Sequence, residues 1–496
     1  MKTKVFLAVD LGAGSGRVTV CHFDGSKLRM EVARRFRNGA VELRGGLYWD
    51  IVALYRETLE GLRKALADHG EAVAGIGVAT WGVDYALIDA AGNPVCFPRS
   101  YRDPRTREMP SLMDTLIPQE THFARTGAQP APITTACQLL AHRREQPALL
   151  SASDHLLFLP DFFNYLLCGE RACEQTIAST SALYDPLRRE WATDVMDALG
   201  IDRGLFGALT PPGVRLAPAT VLADVAHGAP PPVFAIAGHD TASAVAALPA
   251  LPAGGAFLSS GTWSLLGVET DLPVTTPAAL ADSFTNEAGV GGKIRFQKNS
   301  AGLWLVQECR RQWEMEDGAP TDFAQISHWC SEAPAFVNKL DVDAPELAAP
   351  GSMPARIAAW CRDHDQHVPT SRGEILRAIY EGLALNYRSA LEKISRHIGN
   401  APDSLCIVGG GVRDTLLSQL TADASGLPVT EGSDEAASLG NVLMQLLASG
   451  CVASIEEGRR LVSASFPTRT REPANTALWD EFTGSASTLH RTAGNP

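Results

Sequence analysis

The longest periodic hydrophobic pattern in the chain lies between residues 371 and 399. Its apolar side chains recur at three- and four-residue steps, at Ile375, Ile379, Leu383, Tyr387, Leu391 and Ile394. This is the period of a helix with one apolar face. Ser371 and Glu374 have the spacing of a capping box, and Gly399 ends the pattern. The pattern predicts one long helix that packs against a sheet.

A different pattern opens the chain. "VFLAVD" and "RVTVCHF" are rich in β-branched and aromatic residues, and the glycine-rich stretch "VDLGAGSGRV" (residues 9–18) connects them. We predict a strand, a glycine turn and a second strand. "AFLSSGTWSLLGV" (256–268) repeats this arrangement about half a chain later.

Two further stretches read as a strand followed by a helix. Residues 233–237 are apolar, and Gly238, His239 and Asp240 separate them from a helix of small residues. Leu405 to Val408 are followed by glycines 409–411 and by an amphipathic helix that Gly426 closes. A helix that begins at glycines presents bare N–H groups, so we expect a nucleotide at this second turn.

The chain has 496 residues, which is more than a single hydrophobic core usually accommodates, so we expect two domains. "PALPAGG" suggests a seam near residue 250, with a hinge at about 245–255. The predicted domains are residues 1–247 and 248–470, followed by a tail at 471–496 with one short helix and a loose end.

The composition narrows the class of protein. The formal net charge of −13 argues against a nucleic-acid partner. The apolar runs are too short for an export signal or a membrane span, so we expect a cytoplasmic protein without a membrane partner. The ten cysteines show no metal-binding spacing, and we expect most of them to be buried apolar residues.

The glycine loop at 9–18 fits none of the common nucleotide loops. A dinucleotide loop needs a glycine where Arg17 stands, and a phosphate loop needs a Lys-Ser or Lys-Thr that does not follow. A protein-kinase loop is one residue longer, and its H-R-D and D-F-G partners do not occur. What remains is a hairpin whose N–H groups could approach a polyphosphate with magnesium, or a turn with only a structural role.

Taken together, several motifs resemble the FGGY family of sugar kinases, which belongs to the actin, hexokinase and heat-shock ATPase superfamily. The motifs are "VDLGAGSGR", "LYWDI", "TWGVD", "YRDPRT", "GHDTAS", "LSSGTWSLLG", "TNEAG", "KNSAGLWL", "IVGGG" and "EAASLGNVL". The resemblance covers nearly the whole chain. It implies an α/β fold of two ribonuclease-H-like domains around a central cleft, the first mainly for sugar and the second mainly for ATP.

The resemblance also implies roles for individual residues. ATP would contact Ala13, Gly14, Ser15, Gly16, Arg17, Thr262, Gln307 and Gly410, and Asp10 would hold Mg²⁺ through water. The sugar would contact Gly82, His239, Asp240, Thr241 and Asn299. Relatives commonly carry serine where this chain has Gly14, which removes a hydroxyl but leaves the amides.

Asp240 is the expected general base. Its ordinary pKa of about 3.9, and its place at a helix N-terminus, would keep it ionised and able to accept the proton of a sugar hydroxyl. The alternative is that Asp240 only caps the helix that follows. His239 is either a sugar contact or a hydrogen-bonded packing residue.

Other polar and aromatic residues suit a polyol. Asp84 and Asp103 could accept hydrogen bonds from sugar hydroxyls, and Trp81, Tyr101 and Trp263 offer flat faces. Trp81 and Tyr101 could equally belong to the core.

The expected reaction is transfer of the γ-phosphoryl group of ATP to a deoxy-ketohexose, with L-rhamnulose at O1 as the expected substrate. L-Fuculose, or another pentulose or hexulose, is the alternative. A nucleotide-driven regulatory protein on the same fold is a second class, although the chain shows no appended recognition domain. The two lobes of a kinase would close over the substrates to exclude water.

Overall fold

The computed structural model describes residues 3–249, 254–349 and 351–484. The strands are β1 (Lys4–Leu11), β2 (Ser15–Phe23), β3 (Leu28–Arg37), β4 (Ala40–Leu43), β5 (Gly46–Trp49), β6 (Val73–Thr80), β7 (Tyr85–Ile88), β8 (His155–Phe158), β9 (Tyr184–Asp185), β10 (Glu190–Trp191), β11 (Val214–Pro218), β12 (Pro232–Ala235), β13 (Ala256–Ser260), β14 (Trp263–Thr270), β15 (Phe284–Ala288), β16 (Ile294–Ala301), β17 (Leu405–Val408), β18 (Val429–Glu431) and β19 (Arg469–Arg471).

The helices lie between and after these strands, singly or in succession. They are α1 (Ile51–His69), α2 (Met109–Leu116), α3 (Gln119–Thr126), α4 (Thr135–Glu145), α5 (Pro147–Ser151), α6 (Leu159–Cys168), α7 (Gln175–Ala178), α8 (Thr193–Ala198), α9 (Asp240–Ala246), α10 (Pro277–Ala281), α11 (Trp304–Asp317), α12 (Phe323–Glu332), α13 (Met353–Asp363), α14 (Arg372–Ile398), α15 (Thr415–Ser425), α16 (Ala436–Ala448), α17 (Ile455–Ser465) and α18 (Thr476–Thr483).

The chain forms two compact units. The first comprises Met1–Ala250, Glu269–Phe296 and Ala436–Pro467, and the second comprises Leu251–Val268, Gln297–Glu435 and Thr468–Pro496. The domain boundary expected at 247–248 stays a prediction. The first unit also includes two segments from the second half of the chain, Glu269–Phe296 and Ala436–Pro467. Part of the expected seam and hinge, at 250–253, lies outside the described residues, as does the end of the tail after 484.

The first unit is built on a six-stranded sheet with the order β11-β12-β6-β1-β2-β3. Strands β1, β6 and β12 are parallel, and β2 and β3 continue the sheet antiparallel. Successive side chains of β1 enter different hydrophobic clusters, with Leu7 and Val9 in one and Phe6 and Ala8 in another. The sheet is thus covered on both faces, as α/β folds require.

The other large sheet has seven strands in the order β15-β16-β14-β13-β17-β18-β19, and its six strands from β16 to β19 repeat this arrangement. The hairpin β13–β14 corresponds to β1–β2, and the parallel strands β17 and β18 follow as β6 and β12 do. Beyond these parallel strands each sheet ends in an antiparallel strand, β11 next to β12 and β19 next to β18. The echo of the opening hairpin at 256–268 is therefore confirmed.

Helix α16 explains the glycines of β6. Asn441 donates hydrogen bonds to the carbonyl oxygens of Val9 (3.3 Å) and Gly77 (3.0 Å), and Gln445 donates to Leu7 (3.0 Å). A Cβ at Gly77 would overlap the Asn441 side chain. Glycine there lets two buried side-chain amides reach the backbone of the sheet, and the NH₂ group of each amide gains an acceptor.

The long helix is confirmed as α14, with the complete capping box of Ser371 and Glu374. The turn after β17 differs from its prediction. Gly410–Arg413 form a short 3₁₀ turn, and α15 begins only at Thr415, where the Asp414 side chain accepts from the N–H of Leu417. The glycines therefore do not lie at the helix N-terminus, because the aspartate occupies that cap.

Eight of the ten cysteines are buried, and Cys96 and Cys451 are partly exposed. This agrees with their expected role as small apolar residues. Among the described helices, none combines the length and the apolar character that crossing a bilayer requires.

The crossing of α9 and α16 generates a stability prediction. A Cβ at Gly440 would overlap the carbonyl oxygen of Ser243, and backbone atoms have little room to yield. We expect Gly440→Ala to lower the free energy of unfolding by about 3 kcal/mol, measured by urea denaturation. Gly39→Ala is the control, because its Cβ would enter open space and the change should stay within about 0.5 kcal/mol. Equal stability of the two variants would contradict this account of the crossing.

Candidate active site

Three strand ends meet at one edge of the first sheet. The N–H of Thr80 donates to the carbonyl oxygen of Gly238 (2.9 Å), and the N–H of Trp81 donates to that of Leu11 (3.2 Å). These bonds carry the alignment of β1, β6 and β12 beyond the ends of the strands. Ligands of open α/β sheets bind at the carboxyl ends of such strands.

The predicted sugar-side residues of the first unit come together at this edge. Gly82 follows β6, and a Cβ there would lie 3.4 Å from Nε2 of His239. His239, Asp240 and Thr241 follow β12 and begin α9. The fifth predicted sugar contact, Asn299, is exposed on β16 in the second unit.

Asp240 is the first residue of α9, and 31% of its side chain is exposed. Its Oδ1 accepts from the N–H of Thr241 (2.6 Å) and from the Thr241 hydroxyl (3.2 Å). The N-cap position belongs to His239, so Asp240 does not cap the helix in the usual way. The alternative of a purely capping aspartate is not supported.

The pKa of Asp240 is raised above the ordinary value that the sequence suggested. Desolvation raises the pKa of Asp240, the negative charge of Asp10 acts in the same direction, and His239 opposes both. The helix N-terminus therefore does not dominate, because removing water from a carboxylate costs more than the helix dipole returns. A carboxylate with a raised pKa is a stronger base.

His239 connects Asp240 to a buried ion pair that the sequence reading missed. Its Nε2 lies 3.4 Å from Oδ1 of Asp240, and its Nδ1 lies 3.1 Å from Oε2 of Glu287 and 3.0 Å from Nη2 of Arg295. Glu287 and Arg295 pair at 2.7 Å, and Arg295 is fully buried.

The ion pair lowers the pKa of Glu287. Burial alone would raise the pKa of Glu287, but Arg295 and His239 lower it to about 2. Glu287 stands in the motif "TNEAG" and Arg295 between two apolar residues of a strand. The sequence did contain a signal for this ion pair, because Arg295 is a single charged residue in an apolar strand. Such a charge usually has a buried partner of opposite sign.

A second buried group holds the turn before His239. Oε2 of Glu174 accepts from the N–H of Gly238 (2.9 Å), and the hydroxyl of Thr176 accepts from the N–H of His239 (3.3 Å). The N–H of Glu174 in turn donates to Oδ2 of Asp161 (3.0 Å). Burial raises the pKa of Glu174 to about 7 and that of Asp161 well above its usual range, with the Glu174 charge adding to the effect on Asp161.

The predicted phosphate loop is the tight connection between β1 and β2. The N–H of Gly12 donates to the carbonyl oxygen of Ser15 (2.9 Å), and Gly14 and Ser15 are exposed at its tip. Ala13 is half-buried beside them. The tip therefore has the openness that a bound anion needs.

The other two loop residues have clear structural contacts. Arg17 lies on β2 opposite Asp10, and its Nε and Nη2 donate to Oδ2 of Asp10 at 2.8 and 2.6 Å. Gly16 is buried, and a Cβ there would overlap the ring of Phe36. At Gly16 the lack of a side chain serves packing.

The nucleotide-side residues of the second unit also lie together. Thr262, in the β13–β14 turn, donates to Oε1 of Gln307 at 3.3 Å. A Cβ at Gly409 would lie 2.9 Å from the carbonyl oxygen of Ser260, so the glycine turn approaches the same hairpin. A Cβ at Gly410 would meet open space. The hydroxyl of Ser260 is buried between these elements and has no hydrogen-bond partner among the described residues.

Asp84 has a structural role rather than a sugar contact. It is fully buried, and its carboxylate accepts from the indoles of Trp49 (2.6 Å) and Trp81 (2.9 Å) and from the amide of Gln138 (2.8 Å). Burial raises the pKa of Asp84 to about 6 against these donors.

Asp103 also has a structural role. Its Oδ2 accepts hydrogen bonds from the N–H of Leu47 (2.7 Å) and from Nη1 of Arg99 (2.8 Å). Trp81 and Tyr101 belong to the core, whereas Trp263 is 47% exposed. Of the three predicted flat faces, only that of Trp263 is open to a ligand.

Comparison with protein families finds two matches that cover most of the chain. Residues 5–247 match the N-terminal domain of the FGGY family of carbohydrate kinases, and residues 256–449 match the C-terminal domain of that family.

Full-length relatives give the same result. A rhamnulokinase of Bacteroides thetaiotaomicron is 40% identical over 96% of this chain and 97% of its own. A rhamnulokinase of Enterococcus faecalis is 37% identical over 94% of each chain.

Solved structures match the fold. A xylulose kinase of Lactobacillus acidophilus superposes with a TM-score of 0.80 at 14% identity, covering 97% of this chain and 96% of its own. A glycerol kinase of Plasmodium falciparum gives 0.74 at 15% identity, covering 100% and 99%. The two-domain α/β fold expected from the sequence is therefore confirmed.

The buried carboxyl of Asp161 generates a pH prediction. The folded protein retains a proton that the unfolded chain releases near pH 4, so the free energy of unfolding falls as the pH rises above that value. Its Oδ1 is also buried without a partner. We expect Asp161→Asn to match the wild type near pH 4 and to exceed its stability by about 1 to 3 kcal/mol at pH 8.

Denaturation in urea across this pH range would measure the difference. Asp271→Asn is the control, because Asp271 is exposed and its pKa is lowered by a hydrogen bond from Lys293. That variant should show no gain at high pH. A difference for Asp161→Asn that does not change with pH would contradict the prediction.

Proposed function

Because the chain belongs to the FGGY family of carbohydrate kinases, we propose that it transfers the γ-phosphoryl group of ATP to O1 of L-rhamnulose. The products are L-rhamnulose 1-phosphate and ADP. The observation that carries the reaction is Asp240, a half-exposed carboxylate with a raised pKa at the strand ends. The substrate is supported by the relatives named rhamnulokinase, which match along nearly the whole chain.

In this proposal Asp240 is the general base. It accepts the proton of the sugar hydroxyl as the oxygen forms its bond to phosphorus and the bond to the leaving phosphate oxygen breaks. Thr241 holds the carboxylate through two donors to Oδ1. His239, fixed by Glu287 and Arg295, limits its movement from the other side.

Gly82, His239, Thr241 and Asn299 form the remaining sugar contacts of the proposal. Gly82 suits a close approach of the substrate, since it lies beside the His239 ring and carries no side chain. Hydrogen-bonding groups held in place by buried partners suit the recognition of a polyol, whose hydroxyls each need a partner.

The proposed contacts for ATP lie mainly in turns. The N–H groups of Ala13, Gly14, Ser15 and Gly16, with Arg17, would face the phosphates at the first hairpin. Thr262 would reach the γ-phosphate, with Gln307 and Gly410 on the nucleotide side. Thr262 and Gln307 already share a hydrogen bond, and the space at Gly410 is open.

The residues present also fit Mg²⁺. Asp10 supplies a carboxylate at the base of the open hairpin, and oxygen ligands of this kind suit the ion, often through water. Bound with the triphosphate, Mg²⁺ would neutralise charge on the phosphate oxygens. Arg17 orients Asp10 through its two hydrogen bonds to Oδ2.

We assign the protein to the cytoplasm, which supplies ATP.

The choice of sugar is tested with a panel of ketoses. We expect kcat/KM for L-rhamnulose to exceed that for L-fuculose and D-xylulose at least about tenfold, since one mispaired hydroxyl costs this much or more. ADP release in a coupled assay gives the rates, and phosphorus NMR shows whether O1 carries the phosphate. A higher kcat/KM for L-fuculose or D-xylulose would reassign the substrate within the family.

The role of Asp240 is tested by Asp240→Asn. Loss of a general base lowers kcat by about 10²- to 10⁴-fold, and the KM for ATP should change little. Asp271→Asn, at an exposed carboxylate, is the control and should keep wild-type rates. If Asp240→Asn retained most of its turnover, another group would have to accept the proton.

A further inference from the structure

Three potential metal ligands lie together away from the proposed active site. His22 is near the end of β2, Glu31 is on the neighbouring strand β3, and His69 is the last residue of α1. His22 follows Ser15 of the glycine hairpin by seven positions along β2, which is about 23 Å of extended strand. This cluster is therefore independent of the phosphate loop.

The donor atoms of the three side chains converge. Nε2 of His22 lies 3.1 Å from Oε1 of Glu31, and Nε2 of His69 lies 3.7 Å from the same oxygen. All three donor atoms lie within 4.8 Å of one another. The imidazole rings are nearly perpendicular, at 83°, with centroids 5.0 Å apart.

These distances match a tetrahedral ion. With metal–ligand bonds of about 2.1 Å, the two nitrogen–oxygen distances correspond to angles of roughly 95° and 124° at a shared metal. These two angles lie on either side of the tetrahedral value, so Oε1 of Glu31 needs to move little to share an ion with either imidazole.

The charges and exposures are also suitable. The other carboxylate oxygen of Glu31 faces Arg29 at 3.6 Å, which leaves Oε1 for a single bond to metal. The His22 and His69 side chains are 15% and 22% exposed, and that of Glu31 is 46% exposed. An ion could enter from solvent and keep a water molecule as its fourth ligand.

We propose that His22, Glu31 and His69 bind one divalent transition-metal ion of the zinc class. Two imidazoles and one carboxylate are a donor set that zinc uses in proteins. The ion would join the end of α1 to strands β2 and β3, the latter being an edge strand of the first sheet. Its effect is on stability, because His22 pairs with Val5 at the start of β1, whereas the hairpin and Asp240 follow the opposite ends of these strands.

The test titrates ZnCl₂ into the full-length protein after removal of metals with EDTA, in the absence of nucleotide and sugar. We expect calorimetry to show one zinc ion per chain with a micromolar Kd, and the midpoint of thermal unfolding to rise by a few degrees. Co²⁺ in place of zinc should give the visible absorption of a tetrahedral site. Turnover with ATP and sugar should not depend on the added zinc.

Two variants and a matched control decide the assignment. His22→Gln and His69→Gln should each weaken zinc binding at least tenfold and remove the thermal shift, while kcat stays unchanged. His328→Gln is the control, since His328 is an exposed histidine 3.7 Å from a glutamate, Glu332, in the second unit. Stoichiometric binding that survives both cluster variants, or no binding by the wild type at 100 µM zinc, would overturn the proposal. Neither result would affect the proposed kinase reaction.

Discussion

The arrangement of the site depends on a single buried acceptor, the carboxylate of Glu174. It accepts hydrogen bonds from the N–H of Gly238, from the N–H groups of Thr176 and Ile177, and from the hydroxyl of Thr176. A buried carboxylate needs such donors to offset the loss of water, and each charged hydrogen bond contributes about 1.5 to 3 kcal/mol. The donors are backbone groups, so satisfying the charge also determines the path of the chain into His239 and Asp240.

Around this turn, the protein uses buried charge in two ways. Asp84 and Asp103 have their oxygens taken by indole, amide and guanidinium donors, and they hold loops in place. Glu287 and Arg295 instead neutralise each other beside an imidazole that faces the half-exposed Asp240. Among the carboxyl groups of the described residues, only Asp240 combines a raised pKa with access from outside, which is what a proton acceptor needs.

The repeated sheet order explains why two glycine-containing hairpins occur in one chain. Each unit begins with an antiparallel hairpin and adds two parallel strands, so each presents a tight turn at the same edge of its own sheet. Small residues at these turns keep the backbone accessible. Elsewhere glycine serves packing, as at Gly16 beneath Phe36 and at Gly440 against Ser243. Glycine density alone therefore does not distinguish a ligand loop from a tight contact.

The sequence by itself determined the elements whose signals are local. The capping box and apolar period of α14, the two hairpins and the strand before His239 and Asp240 follow from neighbouring residues, and the family motifs identified the fold. The helix after the glycines at 409–411 was misplaced, because a cap by Asp414 competes with glycine by only a small energy. The tertiary structure decided which charges meet. Glu174, Glu287 and Arg295 lie 48 to 64 residues from the groups that they hold. Their pairing depends on burial and on distances across the fold, and the shift in the pKa of Asp240 follows from the same burial.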